Sequence, residues 1–124
     1  MELLYEKETY SIISAAMAVH NELGCGFLEA IYHEALEMEF VSRAIPYRRE
    51  IQIAVYYKGE KLSKYYIADF VCYEKIVLEL KAISKLIAEH QAQTMNYLKA
   101  TNLRLGLLLN FGNTKLEHKR IIYG

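Results

Sequence analysis

The chain predicts an α/β fold in which a mixed sheet, with an antiparallel meander, is flanked by helices. Three observations predict it. The spacing of apolar residues changes from a helical period to a strand period after Pro46. A further helical stretch then separates the alternating strands from the C-terminal ones. Finally, "LRLGLLLNF" is almost wholly apolar, as a strand covered on both faces should be.

From Glu6 to Leu23, Ile12, Ile13, Ala16, Val19 and Leu23 form an apolar stripe at helical spacing. "LGCG" breaks that helix, because Gly24 and Gly26 tolerate positive φ. A second helix spans about Phe27 to Ala44, with Leu28, Ile31, Ala35 and Met38 as its expected buried stripe, and Pro46 closes it off. "YRREIQIAVYYKGEKL" alternates around Ile51, Ile53 and Val55 and turns near Lys58-Gly59. "KYYIADFV" and "KIVLELKA" are the next strands. "ISKLIAEHQAQTMNYLKATN" is a third helix, with Ile87, Ala88, Met95 and Leu98 on one side and Glu89, His90, Gln93 and Tyr97 on the other. "LRLGLLLNF" is the crossover strand and "EHKRIIYG" a last, more exposed one.

The 124 residues fit one domain, 1–124, with room for a hydrophobic core. Lys+Arg and Asp+Glu are both 15, which excludes the overall basic character of a strong nucleic-acid binder. Attraction to phosphate then needs a local patch or a bound cation. Cys25 and Cys72 form neither a metal-ligand pair nor a disulfide framework, so two reduced thiols are expected. The N-terminus lacks the basic and apolar regions of a signal peptide, and no apolar run is long enough to span a bilayer. The expected location is the cytoplasm.

Asp69, Glu79 and Lys81 stand inside strand segments that otherwise read as core. Glu79 and Lys81 share a strand face. If the hairpin turns at Tyr73-Glu74-Lys75, Asp69 falls opposite Glu79, with Cβ atoms roughly 5 Å apart. Two like charges there call for a proton or a cation between them. A hard divalent ion such as Mg²⁺ suits carboxylate oxygen. The plain alternative is a salt-bridged hairpin face, Asp69 to Lys81, with Glu79 solvated. Glu29, at the start of the second helix, lies near the edge of an apolar arc with Leu36 and Phe40. It wants a partner there, or it serves as a favourable helix N-terminal charge.

"HNELGCGFLEAIYHEAL" resembles the signature of the GxxExxY protein family, with Gly26, Glu29 and Tyr32 at its named positions and His20 and Gly24 also fitting. The resemblance continues through "ADFVCYEKIVLELKA", "HQAQTMNYLKAT" and "LRLGLLLNFG". It implies a compact branch of the PD-(D/E)xK nuclease-like superfamily and a restriction-endonuclease-like core. The site it implies consists of Glu29, Asp69, Glu79, Lys81 and Gln93. Gln91 stands where the family often carries an acid.

The implied reaction is metal-dependent hydrolysis of phosphodiester bonds, with DNA the expected substrate. Asp69 and Glu79 would hold Mg²⁺ or Mn²⁺ with the backbone carbonyl of Leu80, and Glu29 would act through water or a second ion. Lys81 would position the attacking water or stabilise the transition state, and Gln93 would orient water or phosphate. The alternative is a catalytically silent nuclease-like module that binds nucleic acid or a partner protein. Neutral charge and small size favour that module and leave room for a homodimer. His20 and His90 read first as structural, and His33 carries no signal. Tyr56, Tyr57, Tyr65 and Tyr66 read as packing residues before base-stacking ones.

Overall fold

The computed structural model describes residues 3–124. Helix α1 (Glu6–Leu23) and helix α2 (Glu29–Ser42) are followed by β1 (Tyr47–Tyr57), β2 (Glu60–Cys72) and β3 (Ile76–Lys81). Helix α3 (Ala88–Thr101) then crosses to β4 (Leu105–Asn110), and β5 (Glu117–Ile122) ends the order. The five strands form one sheet in sequence order, β1-β2-β3-β4-β5. β3 and β4 run parallel, and the other neighbours are antiparallel. A helix between β3 and β4 is what a parallel pair needs, since a tight turn cannot bring the chain back to the same end.

The β1–β2 turn is Lys58-Gly59, with φ of 50° and 81°. Two positive φ values match the right-handed twist of a two-residue hairpin. The β2–β3 loop is Tyr73-Glu74-Lys75, the three residues expected.

Helices cover both faces of the sheet. On one face, Phe70, Leu78, Leu80, Leu107 and Leu109 pack with Ile12 and Ala16 of α1 and Leu36 and Phe40 of α2. On the other, Ile53, Val71, Val77 and Leu108 pack with Tyr97 and Leu98 of α3. Burial on both faces explains why β3 and β4 read as continuous apolar runs.

α2 differs from the expectation. Its buried residues are Tyr32, Leu36 and Phe40. Leu28, Ile31 and Met38 are 76%, 41% and 69% exposed. The aromatic rings decide the orientation: Phe40 meets Phe70 edge-on, and Tyr32 stacks on Phe111. α3 also starts later than expected, at Ala88. Ile87 and Ala88 are exposed, whereas Tyr97, placed on the polar side by sequence, is buried against Tyr66. Among the described residues no helix is long and apolar enough to cross a membrane.

Candidate functional site

β2 and β3 pair regularly at Cys72–Ile76, Val71–Val77 and Phe70–Leu78. The ladder stops there, and the next step holds Asp69 and Glu79. The cause lies in β2. Tyr66 and Ala68 pack on the α3 side, whereas Phe70 and Cys72 pack on the α1–α2 side, although all four are even-numbered. An uninterrupted strand would keep them on one face, so β2 changes face at Asp69. β1 changes face beside it. Tyr47 packs toward α1 and α2, Ile51 packs toward α3, and Glu50 between them has a left-handed φ of 55°. Simple alternation along β2 therefore does not carry through this step.

The carboxylates instead bridge the gap between the strands. The Asp69 N–H donates to Glu79 Oε1 at 3.0 Å, and the Leu80 N–H donates to Asp69 Oδ2 at 2.7 Å. Each acid holds the other strand's backbone, so the two are fixed relative to one another.

α2 brings the third acid. Gly26 takes a φ of 107°, a conformation that disfavours a side chain, and the turn redirects the chain into α2. The buried Tyr32 ties this turn down. Its hydroxyl donates to the Gly24 carbonyl at 2.6 Å and accepts from the Phe27 N–H at 3.2 Å. His20 fastens the segment after β4, with Nε2 2.9 Å from the Asn113 carbonyl oxygen. Glu29 stands at the first position of α2, and His33 one turn later. His33 Nε2 lies 3.4 Å from Glu29 Oε1 and 3.6 Å from Asp69 Oδ2. Ligand atoms of Glu29, His33 and Asp69 all fall within 4.8 Å of one another.

His33 is the residue that sequence reasoning missed. Glu29 and His33 are four apart on one helix, a spacing that places two side chains together. That spacing was the available signal.

Burial, followed by the neighbouring Asp69 charge, pushes Glu79 up to about 8. Burial also raises Asp69 above the usual carboxylate range, against the pull of the Leu80 N–H and His33. Two desolvated acids side by side call for a proton or a cation. The cluster supplies carboxylate oxygens and one imidazole, a donor set that fits a hard or borderline divalent ion. Lys81 bears on both acids by its charge and forms no contact ion pair with either.

Gln93 is exposed, and its Nε2 donates to the Tyr97 hydroxyl at 3.0 Å. Burial and then the two carboxylates push Tyr97 up to about 12, so it stays a neutral hydroxyl. His90 caps its own helix, its Nδ1 accepting the Ile87 N–H at 3.0 Å. Leu80 is fully buried in β3 beside Leu109 of β4. Cys25 is exposed and Cys72 buried, both as free thiols.

The profile of the PD-(D/E)XK nuclease superfamily matches residues 6–121, and the chain belongs to that superfamily. Nucleases of this class usually use divalent metals, and the acidic cluster is a candidate site for one. The crystal structure of SSO0001 is similar, with a TM-score of 0.61 at 18% sequence identity. The match covers 95% of this chain and 57% of that one, and at this identity it speaks for the fold alone. No curated protein sequence matches.

Proposed function

We propose that the chain, acting as one domain over residues 1–124, is a metal-dependent nuclease of the GxxExxY branch that hydrolyses phosphodiester bonds in DNA. The observation that carries this reading is the pair of carboxylates bridging the β2–β3 gap, with Lys81 two residues beyond Glu79. The branch assignment rests on Gly26, Glu29 and Tyr32: Gly26 and Tyr32 shape the turn before α2, and Glu29 comes close to Asp69. A cytoplasmic setting suits two unpaired thiols.

Asp69 and Glu79 would hold Mg²⁺ or Mn²⁺ together with the Leu80 carbonyl. Glu29 and His33 would complete the donor set from α2. The ion would supply an acidified water and charge stabilisation at the phosphate. Lys81 directs positive charge toward the same region, where it steadies the attacking oxygen and the charge that develops on the phosphate. Leu80 and Asp69 hold the acids in place through their backbone N–H groups, so little reorganisation is needed on binding. Gln93 must leave Tyr97 to orient a water or a phosphate oxygen, and its exposure permits that movement.

The test is a panel of single-stranded DNA, duplex DNA and RNA incubated with Mg²⁺, with Mn²⁺ and with EDTA, for the wild type and Asp69→Asn. Cleavage of DNA with either ion, lost in EDTA and in Asp69→Asn, supports the reading. Binding without cleavage under every condition would assign the chain as a silent nuclease-like module instead.

A further inference from the structure

β1 and β2 extend well past the rest of the sheet. They are 11 and 13 residues long, whereas β3, β4 and β5 have 6 each. β3 pairs with β2 only at residues 70–72. Beyond Asp69 the two strands therefore form a ribbon of their own. One side of it rests on α3 through Ile51, Ile53, Tyr66 and Ala68. On the opposite side Gln52 stands across from Ile67 and Ala54 across from Tyr65. Tyr65 and Ile67 are 51% and 48% exposed.

The exposed side is continuous with the candidate site. Tyr65 and Ile67 are alternate residues of β2 on the side away from α3, and two residues on, where the strand changes face, Asp69 Oδ2 lies 3.6 Å from His33 of α2. Farther out, Gln52, Ala54, Lys61, Leu62, Ser63 and Tyr65 line a shallow depression. The charge is local. From residue 54 to residue 67 the chain carries Lys58, Lys61 and Lys64 against the single acid Glu60, in a protein of zero net charge.

We propose that this ribbon is the arm that holds the substrate strand, and that it selects an unpaired polynucleotide. The proposal rests on the nuclease reading above and names the form of its substrate. Lysines on the outer ribbon attract the phosphates, and Tyr65 with Ile67 offers an apolar surface to the faces of bases. A duplex keeps those faces stacked inside, whereas a single strand presents them. A strand lying along β2 would run from the lysines to Asp69, which brings one of its phosphates to the acids.

The experiment is fluorescence anisotropy of a labelled 20-nucleotide oligothymidine in EDTA, so that binding is read without cleavage. A duplex and an oligonucleotide of abasic sites serve as comparisons. The wild type should bind oligothymidine more tightly than either. Tyr65→Ala should weaken oligothymidine binding roughly 5-fold or more and leave the abasic oligonucleotide unchanged. Lys61→Ala with Lys64→Ala should flatten the slope of log affinity against log salt by about 1.4. Both variants change exposed side chains and should melt as the wild type does. Asp69→Asn should still bind, which separates failure of the arm from failure of the catalytic reading. Equal binding by Tyr65→Ala, preference for duplex, or a concentration-dependent dimer that Tyr65→Ala disperses would each overturn the proposal.

Discussion

Glu79→Gln should make the metal-free protein more stable at pH 8, although it removes an acid from the candidate site. Glu79 is almost fully buried and its carboxyl is raised from 4.5 to about 8. In that window the folded chain keeps a proton that the unfolded chain has released. Stability is then fully present below about pH 4.5 and declines as pH rises through about 8. The gap is about 3.5 pH units, which at about 1.4 kcal/mol per unit is on the order of 5 kcal/mol. Glutamine keeps the shape, and its Oε1 can still accept the Asp69 N–H. It cannot ionise, and so it escapes both the burial penalty and the Asp69 charge that raise Glu79. The assay is urea unfolding followed by circular dichroism between pH 4.5 and 8.5 in EDTA. The wild type should lose several kcal/mol across the range, and Glu79→Gln should lose much less. A flat wild-type profile, or a variant weaker than wild type at pH 8, would refute the reasoning.

Three further outcomes rest on other contacts in and around the site. His33→Ala should weaken Mn²⁺ affinity roughly 10- to 100-fold by calorimetry, since its Nε2 lies between Glu29 and Asp69; unchanged affinity would remove His33 from the site. Tyr32→Phe should cost about 1–3 kcal/mol in urea unfolding, because the Gly24 carbonyl and Phe27 N–H lose a common partner; a loss of only a few tenths would show that the turn holds without it. Gly112→Ala should cost about 1–3 kcal/mol, because a Cβ there would overlap the Ile83 backbone; an undiminished melting temperature would show that the segment after β3 moves aside freely.

The order of elements was legible because it depends on local chemistry. Lys58-Gly59 and Tyr73-Glu74-Lys75 sit between alternating runs, and an unbroken apolar run marks β4. The face of α2 was not legible, because two apolar stripes compete on that helix. Leu28, Ile31 and Met38 spell one, and Tyr32, Leu36 and Phe40 the other. The choice was made by Phe70 and Phe111, which lie far along the chain.

The site divides in the same way. The three-residue loop brought Asp69 level with Glu79, as the sequence predicts. The face change at Glu50 and Asp69 could not be read there, because neither residue is one that demands such a bend. It turns a cross-strand pair into two carboxylates that hold opposite backbones. His33 was hidden for a simpler reason: its partner Asp69 comes from another element, and only the spacing from Glu29 lay within one stretch of sequence.

The central claim is that the acids of the β2–β3 gap hold a divalent ion with which Lys81 acts on a phosphodiester. The most direct measurement pairs cleavage with Mn²⁺-dependent melting for the wild type, Lys81→Ala and Glu79→Gln. The wild type should cut and should melt higher with Mn²⁺. Lys81→Ala should lose cleavage and keep most of the Mn²⁺-dependent rise, and Glu79→Gln should lose both. A wild type that cuts nothing in either ion, or a Lys81→Ala variant that cuts as fast as the wild type, would contradict the account.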